Sequence, residues 1–420
     1  MIPSSSSSSS QNNHHNDDDV LPRPTVMKAA RGRGYGDIDE MIYVDSRVPV
    51  PRLKDVVPQS KMHEKMIVKC LAVSLSPGDV RVLSGKTRRF QGPPHFPYVP
   101  AGDCCGIVQE LPPPSKTSSS KSSSSNNNNN NNNNNKEDGG LPFAVGDRVA
   151  VRFCEENYGA LGEYAVVSAR VADKVPDDMS SVDAAALASA SPATVLADRV
   201  VRPGDRVLVL GAGGGIGSHF CQLIRRERNA SYVVGVSQSP KRLLQSPILV
   251  DRAIDYTQED VWSMDEFIQE PFDVVVDFAT GHWPRIVREW KEGKKRGSGT
   301  IVKSYARGGR YITTSPDAHS YEIPSLWSMM KIFLFPALWR AIASRTWYRN
   351  ALPGYSFVMA LPSDRGVITR TLALARRGKL QAAVDPRGPF PFTQDGVRRA
   401  FRLQESRHPH GKVIIQIADK

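Results

Sequence analysis

The 420 residues are too many for one ordinary domain, and with 40% apolar content they suffice for two hydrophobic cores. The net charge of +12 raises nucleic acid as a partner, but Lys and Arg are scattered and form only short clusters such as "KEGKKR" at 291–296. No nucleic-acid motif accompanies them, so that class is set aside, and a modest positive field suits anionic small molecules instead.

In chain order, the opening "MIPSSSSSSSQNNHHNDDD" and the Ser/Asn-rich stretch from Ser115 to Gly140 cannot bury enough apolar surface to offset their ordering entropy. They are expected to be a disordered tail, residues 1–25, and a disordered surface insertion, 112–140. The start is polar and then acidic, which does not suit a secretory signal. Asp17–Asp19 also argue against a mitochondrial presequence, while the serines keep that address open; a cytoplasmic location is expected, with mitochondrial as the alternative. The five cysteines, at 70, 104, 105, 154 and 221, show no CxxC and no disulfide-like spacing, which fits a reducing compartment.

"DRVLVL" at 205–210 reads as a buried strand, short, β-branched and opened by the turn signal Pro203-Gly204. "SHFCQLIRRER" at 218–228 has helical spacing, with Phe220, Leu223 and Ile224 on one face. Between them lies "GAGGGIG", Gly211, Ala212, Gly213, Gly214, Gly215, Ile216 and Gly217. Strand, glycine loop and helix in this order form the geometry that rests a dinucleotide diphosphate on a helix N-terminus. The register is Ala212-x-Gly214-x-x-Gly217 rather than strict GxGxxG, so the context carries the reading. A second strand, "SYVVGV" at 231–236, ends where an NAD site places a carboxylate on the ribose; here the chain reads Ser237-Gln238-Ser239-Pro240-Lys241-Arg242. Ser237, Lys241 and Arg242 suit a 2′-phosphate, so NADPH is preferred over NADH, the competing reading being solvated charges at a helix start. Further strands are expected in "RAIDY" (252–256), "FDVVVDFATG" (272–281) and "GGRYITTSP" (308–316), alternating with helices as in a doubly wound sheet. Ligands bind beyond the carboxyl ends of such strands, which makes Tyr256, Phe278, Ala279 and Thr314 candidates to line the cofactor, against ordinary packing.

No run of eighteen uncharged apolar residues exists, so no spanning helix is expected and the chain carries no firm membrane signal. The nearest approach, "LWSMMKIFLFPALWRAIAS" from Leu326, is interrupted by Lys331, Pro336 and Arg340. It reads as a buried or interface helix with a proline break, in preference to a membrane contact, and as an interface it would make the protein a homodimer.

From Val26 onward, outside the insertion, the chain resembles the medium-chain dehydrogenase/reductase superfamily in its zinc-independent quinone-oxidoreductase-like branch. The matching segments are "MKAARGRGYG", "SLSPGDVRVLSG" (74–85), "AGDCCGIVQE" (101–110), "VGDRVAV" (145–151), "GALGEYAVV" (159–167), "DAAAL" (183–187), the glycine loop, "GKLQAAVD" and "HGKVIIQI". "GVSQS", "FDVVVD" and the closing "FPFTQDGVRRAFRLQESRHPHGKVII" are similar to the reticulon-interacting NADPH oxidoreductase group. The resemblance implies a Rossmann-type doubly wound parallel sheet inserted in a GroES-like β-barrel catalytic domain. That divides the chain into a catalytic part (26–190), an NADP-binding domain (191–350) and a return to the catalytic domain (351–420).

The zinc-dependent relatives carry a Cys, a His-Glu pair and a further ligand. Here Pro77-Gly78-Asp79 and Gly102-Asp103-Cys104 stand in the corresponding segments, and Cys104 and Cys105, adjacent on a strand, face opposite ways, so no metal is expected. The implied reaction is hydride transfer from NADPH to a quinone or conjugated carbonyl such as an enone. Asp79 and Ser76 are the catalytic candidates; Asp79 and Asp103 match family carboxylates that could equally hold barrel loops. Tyr98 is expected to pack, since the tyrosine donor of related enoyl reductases has no counterpart after "SLSPGDVRVLSG". An enoyl thioester reductase and a nucleotide-binding scaffold without turnover are the alternative functions.

Overall fold

The computed structural model describes residues 24–419 apart from 90–91, 94, 114–140, 154–158, 298, 318–320 and 359–363. Nearly all of the expected tail and insertion, 1–23 and 114–140, therefore lies outside the described residues.

A hairpin of β1 (Val26–Gly32) and β2 (Ile42–Pro49) opens the fold. The barrel sheet follows: β3 (Lys65–Leu75), β4 (Asp103–Glu110), β5 (Arg148–Val151), β6 (Tyr164–Ser168) and β7 (Ala172–Lys174). The chain then crosses, through helices Ser181–Ala190 and Pro192–Val200, to a parallel sheet. Its strands are β8 (Arg206–Leu210), β9 (Tyr232–Val236), β10 (Arg252–Ile254), β11 (Val274–Asp277), β12 (Arg310–Thr313) and β13 (Gly354–Phe357). The short β14 (Phe390–Pro391) and β15 (Val413–Gln416) return to the barrel, where β15 lies antiparallel to β3.

The parallel sheet has the order β10-β9-β8-β11-β12-β13, so the winding reverses between β8 and β11. Its strands alternate between two cores, as burial on both faces requires. Val207, Val209, Val274 and Val276 face one, with Phe220 and Ile224 of the glycine-loop helix; Leu208, Leu210, Val275 and Tyr311 face the other, with Trp283 and Ile286. β13 still pairs with β12 beyond residue 350, so the parallel sheet runs a few residues past the boundary read from sequence. In the barrel, Cys104 points into the main core with Val73 and Val151, whereas Cys105 points outward to Ala72, Ala150 and Ala184, the opposite orientations that strand alternation dictates.

One expectation is corrected. The apolar segment forms a helix over Leu326–Arg345 that is neither buried nor broken: only 6% of its most apolar window is covered. A π turn at Met330–Leu334 precedes Pro336, which then stands in the first turn of the following α segment, the position of an α-helix that best tolerates proline.

Candidate active site

The register of the parallel sheet explains why scattered motifs meet. Val236, Leu210, Asp277 and Thr313 end neighbouring strands side by side. The next residues, Ser237, Gly211, Phe278 and Thr314, therefore form one row along the carboxyl edge of the sheet. Gly211 takes φ +75°, and a Cβ there would stand 3.1 Å from the Ala279 nitrogen. At Gly217 a Cβ would lie 2.3 Å from the Gly211 carbonyl oxygen, so this glycine is required for the helix to close on the strand. Gly213 packs against the buried Ser237 hydroxyl. Gly214 differs, because a Cβ there meets only Gly211 O, at 3.4 Å. The helix Gly217–Arg226 that follows has no side-chain cap on its first N–H groups. Bare backbone at Gly214 and an uncapped helix start fit a diphosphate.

The other expected cofactor residues divide. Lys241 is exposed, whereas Arg242 turns inward: its Nη2 donates to Val384 O at 2.6 Å and its Nη1 has no partner among the described residues. Ser239 shares a hydrogen bond of 3.0 Å with His410 Nε2. Tyr256 is 52% exposed just past β10, outside the row. Phe278 packs edge-on against Phe220 at 5.2 Å, Ala279 is exposed, and Thr314 donates its N–H to Asp277 O at 3.2 Å.

Sequence reading passed over Asp277 itself. Fully buried at the end of β11, it accepts from Ala279 N, His282 N, His282 Nδ1 and the Tyr311 hydroxyl, all at 2.8–3.0 Å, and so fixes the loop that flanks the glycines. Burial works against protonation of His282, but the bond to Asp277 and its charge hold that imidazole above its usual range.

The barrel contributes a second cluster, also built by register. β15 pairs Val413 with Leu75, which sets Lys412 opposite Ser76. β3 pairs Ser74 with Asp103, and β4 pairs Cys104 with Val151, which brings Arg152 to Asp103. Four segments thus converge at one barrel end. Asp79, one turn into the helix that Ser76 begins, accepts from Ser76 N at 2.6 Å and Ser76 Oγ at 2.8 Å. Burial raises its carboxyl to about 6 against the pull of those bonds. Lys412 is buried and donates from Nζ to Ser189 O at 3.0 Å and to Ser189 Oγ at 2.8 Å. Burial lowers its ammonium to about 8, with Asp103 opposing the shift. The Tyr98 hydroxyl is buried without a hydrogen-bond partner among the described residues; burial, then the charge of Asp79, raises it well above the ordinary phenol range.

The two clusters touch. The Lys412 side chain runs beneath the glycine loop, where a Cβ on Gly215 would be 3.0 Å from its Cδ. The helix after the loop is hydrogen-bonded to the returning chain through one face. His219 Nδ1 bonds Gly215 O at 2.9 Å while its Nε2 accepts from Ala383 N at 3.0 Å; Gln222 exchanges two bonds with the Gln381 backbone. Since Nε2 must accept, the imidazole is neutral, and burial lowers it to about 3. Lys412 and His219 were missed because neither stands in a local motif; "HGKVII" was read only as a matching segment. Among the described residues no group of three His, Cys, Asp or Glu side chains is arranged to hold a metal ion. An apolar cavity of about 210 Å³, lined by Ile332, Phe333, Pro336 and Phe357 among others, opens beside the ends of β12 and β13.

Residues 250–415 match the family described as zinc-binding dehydrogenase. The chloroplastic NADPH-dependent alkenal/one oxidoreductase of Arabidopsis thaliana is 26% identical over 400 residues, 93% of this chain and 80% of that one. The mitochondrial NAD(P)H oxidoreductase RTN4IP1 of Bos taurus is 23% identical over 423 residues, 94% of this chain and 90% of that one. The quinone oxidoreductase of Coxiella burnetii shares the fold, with a TM-score of 0.64 at 17% identity across 93% of this chain and 99% of that one. A Rossmann sheet set within a GroES-like barrel, together with these matches, makes the chain similar in fold and sequence to the medium-chain dehydrogenase/reductase superfamily.

Proposed function

We propose that the protein is an NADPH-dependent oxidoreductase that reduces quinones or conjugated carbonyl compounds without a metal. The observation that carries this reading is the contact of Lys412 with Gly215, which joins a buried proton-holding group to the dinucleotide loop. NADPH, when bound, supplies a hydride, and the acceptor then needs one proton. Gly214 and the open start of the helix Gly217–Arg226 would hold the diphosphate, with Lys241 at the 2′-phosphate in place of the missing carboxylate. Ser237, Phe278, Ala279 and Thr314 would flank the cofactor along the sheet edge.

Lys412, protonated below about 8, would hold the proton, with Asp79 and Asp103 stabilising its charge. Ser76 keeps Asp79 in place, and Ser189 orients the ammonium. The unpartnered Tyr98 hydroxyl would serve as a hydrogen-bond donor to the acceptor oxygen.

The test is NADPH oxidation by the purified protein against quinones, enones and enoyl thioesters, with NADH as the competing cofactor. Turnover on quinones or enones, weak with NADH, is the expected result. Tight NADPH binding with no turnover on any acceptor would overturn the proposal in favour of a nucleotide-binding scaffold.

A further inference from the structure

The helix Leu326–Arg345 turns the usual amphipathic pattern inside out. Surface helices of soluble proteins bury their large apolar side chains. Here the side packed on the sheet carries Ala337, Arg340, Ala341 and Ser344, while the outer stripe carries Trp327, Leu334, Phe335, Leu338, Trp339 and Ile342. Leu338 is 55% exposed and Trp339 59%. The spacing is helical, so these side chains form one continuous face, and Trp347 extends it at 68% exposed.

The segment that carries the face has charge of one sign, the exposed Glu322 lying just before it. Residues 323–363 contain no carboxylate and four basic side chains. Two of those are used internally: Arg340 pairs with Asp317, and Arg345 donates to Ala341 O and Tyr355 O. The other two, Lys331 and Arg349, are exposed, with the Lys331 ammonium 5.2 Å from the Trp327 ring centre. A ring contact of 5.7 Å between Trp290 and Tyr348 sets the neighbouring helix Trp283–Arg296 alongside, and its end adds the exposed Lys291, Lys294 and Lys295.

We propose that this face seats the protein on an anionic lipid surface, the helix lying in the plane of the interface with its tryptophans and leucines among the acyl chains and its lysines at the headgroups. Tryptophan beside apolar side chains, rimmed by Lys and Arg, is the composition that partitions to such an interface. The helix does not span, because its inner side is fastened to the sheet through Ala337, Ala341 and Arg345. A second copy fits less well: a two-fold contact matches the face with itself, and every charge carried across by residues 323–363 would be positive. This inference does not depend on the reductase reading.

Flotation of the whole protein with vesicles tests it in the absence of cofactor and acceptor, using phosphatidylcholine alone or mixed with phosphatidylglycerol. Binding to the mixed vesicles is expected, about tenfold or more weaker on phosphatidylcholine alone. It should be lost in the double variant Leu338→Glu/Trp339→Glu and weakened in Lys331→Glu/Arg349→Glu, with circular dichroism and NADPH affinity unchanged in both. Absence of flotation on both vesicle types would overturn the proposal, as would flotation that the double variant leaves intact. A concentration-dependent dimer that the double variant dissociates, without lipid binding, would assign the face to a second copy instead.

Discussion

The glycine loop and the barrel end meet at Gly215 and Lys412 but are built differently. The loop is a single heptapeptide, Gly211–Gly217, whose constraints come from its own strand and helix or from the next strand ends, except at Gly215, which meets Gly411 and Lys412 of the returning chain. The cluster at the barrel end draws Asp79, Asp103, Arg152, Ser189 and Lys412 from five separated segments, joined only once β3, β4, β5 and β15 are in register. The first is robust in geometry and carries no titratable group. The second holds buried charges at a cost in desolvation, which suits a site that must move a proton.

The sharpest way to separate the two is inside the loop. Gly214→Asp adds a negative charge where a Cβ has room, so NADPH affinity should fall about a thousandfold with little change in Tm. Gly217→Ala should do the reverse in part, destabilising the fold by about 1–3 kcal/mol because the methyl meets Gly211 O; calorimetry and a binding titration distinguish the two. Equal losses of Tm in both would break the distinction between a bare surface and a packed one.

Next in size is Lys412→Met. Turnover should drop about a hundredfold while NADPH affinity stays within about threefold, since the change removes a proton donor and keeps the apolar stem under Gly215. In the native protein activity should decline as pH rises through about 8, where Lys412 loses its proton; in the variant that limb should vanish. A pH profile that keeps the limb would remove Lys412 from the chemistry. Tyr98→Phe should cost about tenfold in turnover with unchanged stability, because the hydroxyl has no partner among the described residues to lose.

The smallest expected effect concerns the bonds that link the two clusters. His219 is neutral when folded, with its imidazole lowered from 6.5 to about 3. Between those values the unfolded chain binds a proton that the folded chain does not, so His219 contributes stability above pH 6.5 that is lost as pH falls toward 3. His219→Gln should lower stability at neutral pH by about 1–2 kcal/mol and flatten this acid slope, as urea unfolding across pH would reveal.

Legibility in the sequence followed the same division. Strand, glycine loop and helix were readable because their signals are local: β-branched runs, turn residues and 3.6-residue periodicity. The five expected parallel strands appear in place, shortened at "RAIDY" to Arg252–Ile254. Asp277 was quoted within its strand yet passed over, since its role depends on Tyr311 and His282 arriving from other elements. Lys412 lies opposite Ser76 only through a pairing between residues more than three hundred positions apart, and no spacing rule reaches that far. The inward turn of Arg242 was likewise invisible, because Val384 O belongs to the returning chain. The exposed helix misled for another reason: apolar periodicity gives a face without saying which way it points.

The place of Lys412 in the chain has a consequence for biosynthesis. The glycine loop leaves the ribosome about two hundred residues before Lys412, an interval of roughly ten to forty seconds at ordinary rates of elongation. During that interval the parallel sheet can form and fold around its own helices, but the helix face that carries His219 and Gln222 still waits for Gln381 and Ala383. A nascent chain that has not yet reached "HGKVII" would therefore hold its glycine loop without Lys412 beneath Gly215.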